Sequence, residues 1–84
     1  MKKYKVILSD ETVTKGVRSI AIYKRNFIFP LCFEYEEKGS VCFYKDGENK
    51  LYCCEYFDKK SDAVYEFNLL LRDNGIDANL ELME

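Results

Sequence analysis

Few residues in this chain have the type and spacing that chemistry requires. Histidine is absent, which removes the commonest general base and the commonest metal ligand. The closest approach to an acid–base cluster is Glu34, Glu36 and Glu37, near Gly39. Acid–base catalysis needs a pocket that shifts carboxyl pKa values, and charges at a hairpin end are ordinarily solvated. Asp46-Gly47-Glu48-Asn49 shares the acidic, glycine-containing character of a calcium loop. It lacks the spaced oxygen ligands and the late glutamate, so it reads as a turn. The glycines at 16, 39, 47 and 75 are isolated from one another, and no phosphate-cradling loop can be assembled from them.

The four cysteines stand at 32, 42, 53 and 54 with no C-x-x-C pair. Cys53 and Cys54 are adjacent in an expected strand and point to opposite faces, a poor geometry for one tetrahedral zinc. They read as reduced, small apolar packing residues, with a cross-strand Cys42–Cys53 disulfide as the alternative. No catalytic residue, metal or cofactor is expected.

The elements that would position any site centre on Phe27–Phe57. Phe27, Phe29, Leu31, Phe33 and Tyr35 alternate with other residues at the period of a half-buried strand. Lys38-Gly39 is expected to turn the chain into a strand at Val41–Lys45, and Asp46–Asn49 to turn it into Leu51–Phe57. One face then collects Phe29, Leu31, Phe33, Tyr35, Cys42, Tyr44, Leu51 and Cys53, and this is the expected core. The other collects Ile28, Cys32, Glu34, Phe43, Tyr52, Cys54 and Tyr56. Pro30 conflicts with a paired strand, because it has no N–H for a ladder, and calls for an edge or a bulge.

Upstream, Tyr4, Val6 and Leu8 mark a short first strand, and Ser9–Gly16 reads as a loop. Arg18–Lys24 reads as a second strand with Ile20 and Ile22 inward, turning at Arg25-Asn26. After Phe57 the period changes. Ala63, Val64, Phe67, Leu70 and Leu71 follow helical spacing, with Asp58 or Ser61 as the cap and Asp62 in the first turn. Asn74-Gly75 ends the helix, with Ile76 placed for the apolar contact of a Schellman cap. Alternation from Ile76 to Leu82 suggests a last short strand at Asn79–Met83. The expected fold is a single α+β domain over residues 1–84: an antiparallel meander of about four to six strands, one C-terminal helix, and the short terminal strand.

The 84 residues carry 13 basic and 15 acidic side chains, a balance that gives solubility and no general attraction for polyanions. No apolar run approaches the ~20 residues of a membrane helix. Met1–Lys5 begins like a signal peptide, but only Val6–Leu8 follows before Ser9 and Asp10. A cytoplasmic protein is expected. Lysine outnumbers arginine ten to three, and Asn, Ile, Tyr and Phe are plentiful, which suggests a low-GC bacterium or its phage.

A helix covers one face of a single sheet, so the second face requires its own explanation. Tyr23, Phe43, Tyr52 and Tyr56 are the expected partner-binding residues, since tyrosine tolerates partial exposure and is enriched at interfaces. In small size, near-neutral to acidic charge and composition, the chain resembles the small phage or mobile-element proteins that inhibit bacterial defence, anti-CRISPR proteins among them. This is a resemblance of kind, carried by no motif and covering no particular residues. The expectation is a non-enzymatic intracellular module that binds a protein partner or a second copy of itself. The alternative is a nucleic-acid binder stacking bases on the aromatic face, with Lys24, Arg25, Lys50, Lys59 and Lys60 around it.

Overall fold

A computed structural model describes residues 2–11, 16–28, 32–45 and 52–77. They form four strands and one helix: β1 (Tyr4–Asp10), β2 (Val17–Ile28), β3 (Cys32–Tyr44), β4 (Tyr52–Phe57) and α1 (Lys60–Asp73). The α+β class and the antiparallel sheet with one helix behind it are as the residue pattern implies. The topology is not a meander. The strands lie in the order β3-β2-β1-β4, all antiparallel, so the chain crosses from one edge of the sheet to the other between β3 and β4. This is Greek-key order, and it moves β1 from an edge to the interior.

Two expected turns are absent. β2 runs through Arg25-Asn26, and β3 runs through Lys38-Gly39, making one long hairpin arm whose connection falls at residues 29–31. Phe27–Tyr35 is thus divided between β2 and β3, and the edge or bulge expected at Pro30 lies outside the described residues. At Lys38-Gly39 the chain bulges instead of turning. Ile22 pairs with Gly39 and Tyr23 with Glu37, leaving Lys38 as the extra residue on β3. β1 likewise extends through Ser9 and Asp10, residues expected in a loop.

The core lies on the helix side of β1 and β2. Tyr4, Val6 and Leu8 alternate inward, directly opposite Lys24, Ile22 and Ile20. Ala63, Phe67 and Leu71, one turn apart on α1, close over them, and Phe67, Ile20 and Ile22 are completely buried. Phe67 is the largest of the fully buried side chains among the described residues, and excluding such a ring from water contributes roughly 1.5–3 kcal/mol. Val41, Phe43, Phe57, Val64, Leu70 and Ile76 pack around the rim.

The core face expected for β3 is therefore inverted. Val41 and Phe43 point to the helix, whereas Tyr44 and Cys42 are exposed on the other side. Tyr35 also lies on the far side, opposite Arg25. Phe29, Leu31, Leu51 and the side chain of Phe33 fall outside the described part of the structure.

The helix ends as its residues dictate. Gly75 adopts φ +77°, its N–H donates to the Arg72 carbonyl, and the Ile76 N–H donates to the Leu71 carbonyl. That is the Schellman pair of bonds, and Ile76 packs on the core as the motif requires. The start differs from expectation: Lys59 is the N-cap residue, with no side-chain capping bond, so neither Asp58 nor Ser61 caps. Asp62 sits in the first turn and Arg72 in the last, each suited to the helix dipole. The terminal strand expected at Asn79–Met83 lies outside the described residues.

At the end of the sheet where β3 stops and β4 begins, Asp10 binds two cations. Its carboxylate accepts from Arg18 Nε at 2.9 Å and pairs with Lys45, all three side chains being largely buried. The Lys45 N–H also donates to the Gly16 carbonyl, and the Glu11 N–H to that of Val17. These contacts fasten the β1–β2 turn to the end of β3.

Candidate functional site: the tyrosine face

Alternation along four paired strands decides which side chains reach the face that α1 does not cover. From β1 these are Lys5, Ile7 and Ser9. From β2 they are Val17, Ser19, Ala21, Tyr23 and Arg25. β3 supplies Tyr35 and Glu37 beyond the bulge, with Ser40, Cys42 and Tyr44 before it. β4 supplies Tyr52, Cys54 and Tyr56. Five of the chain's seven tyrosines share this face, with small residues along its middle.

The tyrosines form two zones. Near the arm, Lys5 lies directly across from both Tyr23 and Tyr56. Its ammonium stands 5.0 Å from the Tyr23 ring centroid and 4.4 Å from that of Tyr35, within cation–π range of both. Tyr35 meets Tyr56 edge to face with centroids 6.1 Å apart, and its hydroxyl donates to the Lys2 carbonyl at 2.8 Å. This zone is pre-assembled. At the other end Tyr52 and Tyr44 stand on opposite edges of the sheet, 68% and 87% exposed, with Ser9, Ser19 and Cys42 between them.

Two of these hydroxyls, on Tyr23 and Tyr56, are held in the neutral form by their surroundings. Burial, reinforced by the nearby Glu37 carboxylate, pushes the Tyr23 hydroxyl up from its ordinary pKa. The Tyr56 hydroxyl is raised by its hydrogen bond with the Cys54 side chain and by the repulsion that ionising beside that sulfur would bring. Both remain able to donate hydrogen bonds at neutral pH.

Of the residues expected to bind a partner, Tyr23, Tyr52 and Tyr56 come together here. Phe43 does not: it packs against the core on the helix side. Tyr35, Tyr44 and Lys5 were missed. The missed signal for Tyr35 is the dense charge of Glu34–Lys38, which suits a solvated edge strand better than a turn. Among the described residues, no group of three or more His, Cys, Asp or Glu side chains is placed to hold a metal. Glu36 accepts from the Asn26 amide at 2.5 Å and pairs with Lys38, while Glu37 belongs to the opposite face. The three glutamates thus form no common site. Asp46–Asn49 lies outside the described residues. Cys42 and Cys53 sit on opposite edges and opposite faces of the sheet, so they cannot form a disulfide with each other.

Comparison with protein-family models, curated proteins and solved structures finds no match for this chain.

Proposed function

We propose that this chain is a small, non-enzymatic, cytoplasmic protein-binding module whose tyrosine face meets a protein partner. One observation carries the reading. Tyr44, Tyr52 and Tyr56 are each more than half exposed on a sheet face that has no covering layer among the described residues. Tyrosine gives large contact area with little rotamer entropy to lose, and its hydroxyl tolerates water when the partner is absent. The pre-assembled Tyr23–Lys5–Tyr35–Tyr56 zone would anchor the contact, and the exposed Tyr52 and Tyr44 would extend it. Small size, acidic balance and composition are consistent with a phage-borne inhibitor of a bacterial defence protein, which is the biological setting we favour.

The same Lys5-centred cluster gives the nucleic-acid reading its support, since stacked aromatics with an interleaved cation suit unpaired bases. Glu37 on the face and a net charge of −2 weigh against it.

The test is the double variant Tyr52→Ala/Tyr56→Ala, compared with the wild type in three assays. These are co-purification from cells of the source organism, sedimentation, and anisotropy with labelled single-stranded oligonucleotides. Loss of a partner protein with an unchanged circular-dichroism spectrum supports the module. Tyrosine-dependent oligonucleotide binding would replace it with the second reading, and unaltered partner binding would move the interface elsewhere.

A further inference from the structure

The two edges of the sheet are built differently. On β3, the outer edge carries Glu34, Glu36, Glu37 and Lys38 within five residues and bulges at Lys38. Charge and a bulge are the usual means of stopping an edge from pairing with another strand. β4 has neither. Its six residues, Tyr52–Phe57, contain one charge, Glu55, and pair with β1 in unbroken register. Among the described residues, no strand lies on its outer side.

Beside that edge, between β4 and α1, is a groove of about 120 Å³ lined by Val6, Leu8, Cys53, Glu55, Glu66 and Leu70. Val6 and Leu8 make an apolar floor, and the two glutamates come from the facing elements. They are poorly placed for each other: burial and then the Glu55 charge push the Glu66 carboxyl above its ordinary pKa.

From the unguarded edge and the apolar, doubly acidic groove beside it, we propose that β4 docks an extended, lysine- or arginine-bearing segment of a partner protein as a fifth strand. Backbone groups on the outer edge of β4 pair with the segment, as in strand addition generally. An added strand lies about 4.8 Å beyond β4. A residue on its helix side, opposite Glu55, would lay an aliphatic stem along Leu70 and set its cation between Glu55 and Glu66. The residues alternating with it would fall beside Tyr52 and Tyr56. A second copy of this chain is a poor occupant, because β4 paired with β4 of another copy gathers Glu55 and Glu66 from both. The proposal rests on the protein-binding reading but uses a surface the tyrosine variants do not remove.

The probe is a labelled hexapeptide of alternating lysine and valine, titrated into the full chain and followed by anisotropy and by amide hydrogen exchange. Saturable binding with slowed exchange at Tyr52–Phe57 is expected. Glu55→Gln/Glu66→Gln should weaken it at least tenfold while leaving the protein folded or raising its Tm, since it removes a like-charge contact. The same peptide N-methylated throughout, and a glutamate–valine peptide, should not bind. Absence of binding overturns the proposal. So does equal binding by the N-methylated peptide, protection located on β3 or the outer surface of α1, or indifference to the double glutamine variant. Any of these would leave the tyrosine-face reading standing, because that reading depends on Tyr52→Ala/Tyr56→Ala and a native partner.

Discussion

The two faces of this sheet are made from the same strands in strict alternation, yet they follow different rules. On the closed face, Val6, Leu8, Ile20 and Ile22 are nearly inaccessible, and α1 supplies Ala63, Phe67 and Leu71 to fill the space between layers. Branched aliphatic residues suit a dry layer because they pack tightly and carry no polar atom in need of a partner. On the open face tyrosine, serine, cysteine and lysine stand among Ile7, Val17 and Ala21, and rings contact one another or Lys5 edge-on and face-on. Burial of one face gives the molecule its stability, whereas the other is ordered without being hidden. Substitutions on the two faces should therefore differ in kind as well as in size.

The largest effect belongs to Phe67→Ala. Removing a fully buried ring should cost on the order of 3–5 kcal/mol, comparable with the whole stability of a small domain, about 5 kcal/mol at the lower end. Urea unfolding measures it, and a midpoint near that of the wild type would show that the closed face is not what holds the layers together. Asp10→Asn comes next. It removes the carboxylate charge that the largely buried Arg18 and Lys45 share, a loss of about 2–4 kcal/mol given the residual access to water. A cost near zero would show that the ion cluster is incidental to closing the sheet end. On the open face, Tyr52→Ala/Tyr56→Ala should cost less than about 1 kcal/mol, because exposed positions rarely contribute more. Unfolding of that variant would abolish the distinction between the faces.

The smallest effect has the opposite sign and a pH signature. Glu66 has a folded-state pKa raised by burial and Glu55, so its ionisation opposes folding. That penalty is fully present above the folded pKa and disappears as pH falls below the unfolded one. Glu66→Gln should therefore raise Tm slightly at about pH 7 and leave it unchanged near pH 4. Equal shifts at both values would assign the gain to packing instead of charge.

How far these faces could be read from residue types depended on whether the signal was local. The helix was legible because the change of period at Ala63 and the Asn74-Gly75-Ile76 cap are contained within single turns. The inward faces of β1 and β2 were legible for a similar reason: Tyr4, Val6, Leu8 and Ile20, Ile22 alternate without interruption. Strand order was not legible, since nothing in β4 marks β1, 43 or more residues earlier along the ladder, as its neighbour. The β3 face was lost at its junction with β2. A two-residue turn at Arg25-Asn26 puts Tyr35, and with it Cys42, on the side of Ile20 and Ile22, whereas the observed pairs Ile28–Cys32, Lys24–Glu36 and Ile20–Val41 put them on the other. Tyr23, Tyr52 and Tyr56 were grouped rightly because each sits on a strand whose alternation was read correctly, while Phe43 inherited the error at the β2–β3 turn.

Lys38 acts as a phase marker for the whole hairpin arm. With the register Ile22–Gly39 continued without an extra residue, Tyr35 would come opposite Asn26 in place of Arg25, and Glu36 opposite Arg25 in place of Lys24. Tyr35 would then leave Lys5 and Tyr56 for the helix side, and acidic side chains would take its place. The stretch from Gly39 to Tyr44 would be unaltered. Deleting Lys38, by contrast, would keep Tyr23 opposite Glu37 and Arg25 opposite Tyr35 while removing the bulge, so the arm would retain its two sides and lose one guard of its outer edge.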